Sequence, residues 1–292
     1  NKYKDDADML ATVRLAVEKS IVPDVQKGKV NLEGTRADWL PKTDADIVIV
    51  SRGKNTSVER IKRMLDSLTK QSTNNFAIVY TDANSTNVSE EYAAYRLKYD
   101  KRFEDAVFIP NKTEHLEIDM LMQSVSTIVK QNAIIITVDN DDYLLCPDAV
   151  KTIVKKFEDG ADYVCGNNIR YDKPLKKYYV SGFEKLWERN GDNIWLHPIC
   201  FTKELFGKVN SDDMKRDGEW INICTDFAYA VPMIQLANNP QWIDQPIYFF
   251  EPSIANQRKE GNYRIEKVNE MRNYILQKAK QRYETDNSSY RR

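Results

Sequence analysis

No apolar run in this 292-residue chain is long enough to cross a bilayer. Runs such as Ile47 to Val50 and Ala133 to Val138 fall far short of the roughly 20 residues that a spanning helix needs, and no charged, apolar, small-residue leader opens the sequence. A surplus of one charge is also missing: 43 Lys and Arg face 44 Asp and Glu, and the basic residues are scattered. No cationic field therefore points to nucleic acid as a partner. Cysteine is sparse, and Cys146, Cys165, Cys200 and Cys224 stand far apart without a CxxC pair. Their apolar neighbours fit reduced, buried thiols better than disulfides or zinc, which implies a soluble, cytosolic protein. Opening at Asn1 rather than Met fits a piece of a longer protein.

What is present is a regular alternation of strand and helix patterns. Ile47-Val-Ile-Val50 reads as a strand buried on both faces, Thr56-Ser-Val-Glu59 as a capping box, and Val58, Ile61, Leu65 and Leu68 as one helix face. Strands follow at Phe76–Tyr80, Ala106–Ile109 and Ala133–Val138, with a helix at Ile118–Val129. Pro147-Asp148 starts another helix, and Tyr163-Val-Cys165 returns as a strand. Such alternation predicts an α/β fold whose site lies at the strand C-termini. There the fourth strand delivers Asp139, Asp141 and Asp142. Carboxylates two residues apart in a tight loop can share one Mg²⁺ or Mn²⁺, which keeps open positions for the oxygens of a diphosphate; capping the next helix is the alternative.

Residues 1–44 read as a helical extension, 45–255 as the main domain, and 256–292 as a basic amphipathic helix and tail. From Arg258 to Arg292 ten Lys and Arg stand against five Asp and Glu, a local net of +5, leaving −6 for the remainder. That helix either packs back on the domain or docks on acidic lipid. Between Asp172 and Gly218 the periodicity fades into loop containing Trp187, Trp195 and His197, of the kind that often holds an acceptor. A helix over roughly 221–237 and a strand at Ile247–Phe250 follow.

These segments, in order, resemble family 2 of the glycosyltransferases, the inverting group with the GT-A fold. The resemblance runs from about Ala45 to Glu251. It rests on Ile47-Val-Ile-Val-Ser-Arg-Gly-Lys-Asn55, Val79-Tyr-Thr-Asp-Ala-Asn-Ser-Thr86, the DXD-like Val138-Asp-Asn-Asp-Asp-Tyr-Leu144, Cys224-Thr-Asp226 and Asp244-Gln-Pro-Ile-Tyr-Phe-Phe250. It implies a mainly parallel sheet flanked by helices and a nucleoside-diphosphate-sugar donor, with UDP the expected nucleotide. It further implies that Ser51, Arg52, Asp82, Asp139 and Asn140 bind the nucleotide sugar, that Asp141 and Asp139 hold Mn²⁺ or Mg²⁺, and that Asp226 is the catalytic base. The acceptor would be a glycan or lipid-linked sugar of surface polysaccharide synthesis, at the inner face of the membrane if the C-terminal helix touches lipid. Trp195 and His197 are acceptor candidates. His197 could also be a metal ligand or simply a loop histidine.

The sequence departs from the family pattern at Ser51-Arg-Gly-Lys-Asn55, at Asn84 where Gly is usual, and at Thr225 where an acid usually precedes the base. A catalytically silent binding module of the same fold is the alternative these departures favour. A sugar-nucleotide nucleotidyltransferase fits less well, because Ser51 to Ser57 holds one Gly where a triphosphate-wrapping loop needs several.

Overall fold

The computed structural model describes residues 39–172, 175–181, 197–251 and 261–289, with side chains of the last helix described over 266–282. Most of the expected N-terminal extension, together with Trp187 and Trp195, lies outside the described residues.

A nine-stranded mixed sheet forms the centre. Four strands, β1 (Ile47–Gly53), β2 (Ala77–Asp82), β3 (Ala106–Pro110) and β4 (Ile134–Thr137), pair in parallel in the order β3-β2-β1-β4. Beyond β4 the pairing becomes mixed. β8 (Cys200–Thr202) runs antiparallel to both β4 and β6 (Tyr163–Asp172), while β11 (Pro240–Phe250) runs parallel to β6. β5 (Tyr143–Leu144) and β7 (Lys177–Ser181) finish the sheet against β11 and β6. A small ribbon joins β9 (Lys215–Arg216) to β10 (Glu219–Trp220).

The continuous apolar runs exist because both faces are covered. Along β1, Val48 and Val50 pack with α3 (Glu117–Ser126), α5 (Lys203–Gly207) and α6 (Thr225–Leu236), while Ile47 and Ile49 pack with α1 (Val58–Thr69), α2 (Ser89–Tyr99) and α4 (Ala149–Glu158). Alternate residues of a strand point to opposite faces, so four consecutive apolar residues are what two covered faces require. α6 is buried nearly all round, with nine of its twelve residues inside. It therefore tolerates almost no polar side chain away from its N-terminus.

Two local expectations changed. The capping box at Thr56–Glu59 does not form: Ser57 is the cap residue and its side chain makes no capping bond. Thr56 Oγ1 instead donates to Asn140 Oδ1 at 2.7 Å, so a loop-to-loop tie has taken the hydroxyl. α2 gave no periodic signal, because its buried residues are Ser89, Ala93, Ala94 and Leu97 and small residues add little to a hydrophobic pattern.

α7 (Gly261–Ser289) packs back on the domain. Its Ile275 and Ala279 are buried in the same core as α6, with Met271, Tyr274 and Leu276 against it. Lys278 Nζ donates to the carbonyls of Asp212 and Lys215 at 2.6 and 3.2 Å, and Arg282 pairs with Asp213. Among the described residues no helix is long and apolar enough to cross a membrane.

Candidate active site

Three chain segments, joined by His197 from just before β8, meet at the C-terminal ends of β1 and β4. The first is the end of β1, where Ser51 and Arg52 are buried at 0 and 4% exposure. Gly53 follows, and the reason for glycine is steric. A Cβ there would lie 2.2 Å from both terminal atoms of the Asn140 side chain. Asn140, itself buried, donates to Tyr80 Oη at 2.9 Å and accepts from Thr56. The residue expected at the nucleotide thus braces the loop, with both ends of its amide engaged inside the protein.

The second segment is Asp139 to Asp142, whose three acids have different surroundings. Asp142 is buried; its Oδ2 accepts from Tyr248 Oη at 2.7 Å and its Oδ1 from the backbone N–H of Glu251 at 2.7 Å. Tyr248 Oη in turn accepts from the Asp139 N–H at 3.2 Å, so Asp142 fixes the loop to the end of β11. Asp141 faces Arg60 at 3.4 Å, and Arg60 and Arg63 both pair with Glu251. Burial, then the charge of Asp139, pushes the Asp141 carboxyl up to about 7. Asp139 remains partly exposed and lies 3.6 Å from Arg52 Nη2.

The third segment is the start of α6. Cys224 takes a left-handed conformation, φ 59°, that turns the chain into the helix. Asp226 then accepts from Tyr229 Oη at 3.1 Å and from Arg52 Nη2 at 3.5 Å through Oδ1, while Oδ2 lies 3.3 Å from His197 Nε2. Burial would raise its pKa, but His197 and Arg52, with the Tyr229 hydrogen bond, hold it down to about 2. The same surroundings keep Arg52 charged: burial opposes this, and Tyr229, Asp139 and Asp226 outweigh it. Arg52 Nη2 also donates to Tyr229 Oη at 3.0 Å.

Oxygen and nitrogen donors of Asp139, His197 and Asp226 lie within 4.8 Å of one another. Two carboxylates and an imidazole suit a divalent cation such as Mn²⁺, so the residues present fit one. Ser51 Oγ and Arg52 Nε and Nη1 are buried without hydrogen-bond partners among the described residues. Buried donors normally find partners, and a ligand rich in acceptor oxygens would supply them.

Residues 46–213 match the profile of glycosyl transferase family 2. The chain belongs to that family. Solved structures with the same GT-A fold include Staphylococcus aureus TarS, with a TM-score of 0.53 and 13% identity over 71% of this chain and 37% of TarS. TarS 1–349 gives 0.53 and 14% over 70% of this chain and 60% of that fragment. The mannosyltransferase PcManGT from Pyrobaculum calidifontis, solved with GDP-Man and Mn²⁺, gives 0.50 and 13% over 88% of this chain and 68% of its own. The chain thus spans about a third of the longer TarS structure and less than two thirds of the fragment. No curated protein sequence matches it.

Of the site residues anticipated from sequence, Arg52, Asp139, His197 and Asp226 come together, and Asp141 stands beside them on Arg60. Asp82 is buried at the end of β2, its two oxygens each accepting a 2.7 Å bond from Ser85. Burial raises its pKa in spite of those bonds. The family's Gly is replaced at Asn84 by a residue that also tolerates the left-handed region, here at φ 63°. Sequence reasoning missed Tyr229, although its i+3 spacing from Asp226 places both on one helix face. It also missed Glu117, which carried no motif.

Proposed function

We propose that this family 2 chain transfers a sugar from a nucleoside-diphosphate sugar, with UDP the expected nucleotide, to a hydroxyl of a glycan or lipid-linked acceptor, with inversion and with a divalent cation. The observation that carries the reading is the cluster of Asp139, His197 and Asp226 around buried Arg52. PcManGT, a protein of the same fold, was solved with GDP-Man and Mn²⁺.

The nucleotide would lie against Ser51, Arg52 and Asp82, whose strand-end placement suits it, with the unpartnered donors of Ser51 and Arg52 toward its oxygens. A bound cation would offset charge on the leaving diphosphate, a Lewis-acid role. Arg52 supplies fixed positive charge at the same place and needs no reorganisation to do so. Asp226, ionised throughout the neutral range, accepts the proton of the attacking hydroxyl as that oxygen bonds to the anomeric carbon and grows acidic. Tyr229 and His197 hold its two oxygens in place.

Asp139 is the cation ligand in either of two sets. With Asp141 it forms the pair expected from sequence, and a cation there would offset both the burial and the Asp139 charge that raise the Asp141 pKa. With His197 and Asp226 it forms the set favoured by distance. Separate Asp141→Asn and His197→Ala variants choose between them.

Thermal stability with UDP, GDP, CDP and dTDP sugars, each with Mn²⁺ and with chelator, tests the proposal, since a ligand bound only by the folded state raises its stability. Stabilisation by one nucleotide class, lost with chelator and in Asp139→Asn, is expected. No stabilisation by any of them would refute the donor assignment and favour a binding module of the same fold.

A further inference from the structure

Thr225, one residue before Asp226, donates its hydroxyl proton to Glu117 Oε2 across 108 residues of sequence. Glu117 opens α3 and is solvent-exposed. Among the described residues it forms no ion pair and accepts no other side-chain hydrogen bond. Although part of the residue reaches solvent, the protein packed round its carboxyl and then the charge of Asp226 push that carboxyl above the usual range, against the opposing charge of Arg52, so the groups are within electrostatic reach. Glu117, Asp226 and Asp139 all act on the one guanidinium of Arg52.

A carboxylate that shares the one guanidinium of Arg52 with two others, and makes no ion pair of its own among the described residues, disfavours the folded state by repulsion. Its long side chain is nevertheless held, because Thr225 fixes the rotamer that a free glutamate would randomise. The contrast with Asp226 is in availability. Both Asp226 oxygens face protein donors, whereas Glu117 Oε1 accepts no hydrogen bond among the described residues and belongs to a residue that reaches solvent. The preceding segment is tied to the residue that follows β1, since Lys54 pairs with Glu114 at 2.8 Å.

We propose that Glu117 is an acceptor-binding carboxylate, and that the acceptor is a polyhydroxyl compound presenting two neighbouring hydroxyls, one to Asp226 for attack and the next to Glu117 as hydrogen-bond donor. Thr225 is then a positioning residue, and the acid absent from position 225 is supplied in space by Glu117. The inference rests on the glycosyl-transfer reading of the site.

The test uses the full chain, the donor it turns over, and methyl hexosides as acceptor probes with their monodeoxy counterparts. The readout is the partition of donor between transfer and hydrolysis. Glu117→Gln is expected to lower that ratio by about tenfold or more, the effect of losing one hydrogen bond to a charged group, on a hexoside that keeps the neighbouring hydroxyl. On the deoxy hexoside lacking it the variant should match wild type in this ratio. Glu117→Asp should recover part of the loss, and Glu117→Gln with Thr225→Glu more of it, by restoring an acid locally. Thr225→Val, which leaves the carboxylate intact but unheld, should raise the acceptor KM even if Glu117→Gln fails to fold. An equal loss on both acceptors, or none, overturns the proposal. Donor hydrolysis without transfer to any hexoside overturns the acceptor class. No donor turnover by wild type refutes the glycosyl-transfer reading itself, and this inference with it.

Discussion

Replacing Gly53 by alanine tests whether the loop that carries the acids is held from within. The added methyl would lie 2.2 Å from Asn140 Oδ1 and Nδ2, so the amide must leave its place. Leaving it breaks the 2.7 Å bond from Thr56 and the 2.9 Å bond to Tyr80, each worth about 1 kcal/mol. Crowding in a packed site adds about 1–3 kcal/mol. A destabilisation of about 3 kcal/mol is expected, or a fall of roughly 6–12 °C in Tm for a chain of this size. The companion Asn140→Ala removes the obstacle. In that background Gly53→Ala should be neutral or slightly stabilising, because alanine restricts the unfolded chain and φ at Gly53 is not in the left-handed region. Urea unfolding of the two single variants and the double variant gives the coupling energy. A value of about 2–3 kcal/mol supports the account; additive effects, or a Gly53→Ala variant as stable as wild type, refute it.

Other expectations concern the fold and its pH dependence. Burial would raise the Asp66 pKa, but Lys62 at 2.5 Å and Arg96 at 2.8 Å outweigh it and lower it. A lowered folded pKa stabilises above the unfolded value, so Asp66→Asn should cost about 1 kcal/mol at pH 7. The gap to wild type should close as pH falls below about 4; a gap independent of pH would be contrary to the assignment. Ile275→Ala should cost about 2–4 kcal/mol, since Ile275 is 3% exposed against the α6 core, and an unchanged Tm would mean that α7 is not docked. Cys165 and Cys200 are fully buried and Cys146 and Cys224 half-buried. A thiol reagent should therefore leave the first two untouched until denaturant is added, and should react slowly at Cys146, whose thiol burial pushes up.

The sequence disclosed most where a residue type has one physical use. Continuous apolar runs at Ile47–Val50 and Ala133–Val138 had to be doubly covered strands, and acids at a strand end had to lie where α/β sheets bind ligands. It was silent on which partner each polar group takes. Thr56 could cap α1 or tie to Asn140, and the second won because the buried Asn140 Oδ1 needs a donor. α2 could not be read because alanine and serine fill its buried face.

The acids at 139, 141 and 142 make the same point about the site. As letters they are equivalent, and any two of them satisfy a cation motif. Tyr248 and the Glu251 amide take Asp142 out of solvent as a brace, Arg60 takes Asp141, and Asp139 remains beside His197 and Asp226. The partners that separate them come from α1, the residues before β8, α6 and the end of β11, all of them more than 50 positions from the loop in sequence. Function here is divided by hydrogen-bond partners, which three-dimensional closure supplies, rather than by residue type. Swapping those partners is therefore the sharper probe. Arg60→Met should free Asp141 from its guanidinium and raise cation affinity if Asp141 is a ligand, whereas it should leave cation affinity unchanged if Asp139, His197 and Asp226 form the set, as titration of Mn²⁺ against nucleotide-dependent stabilisation would read.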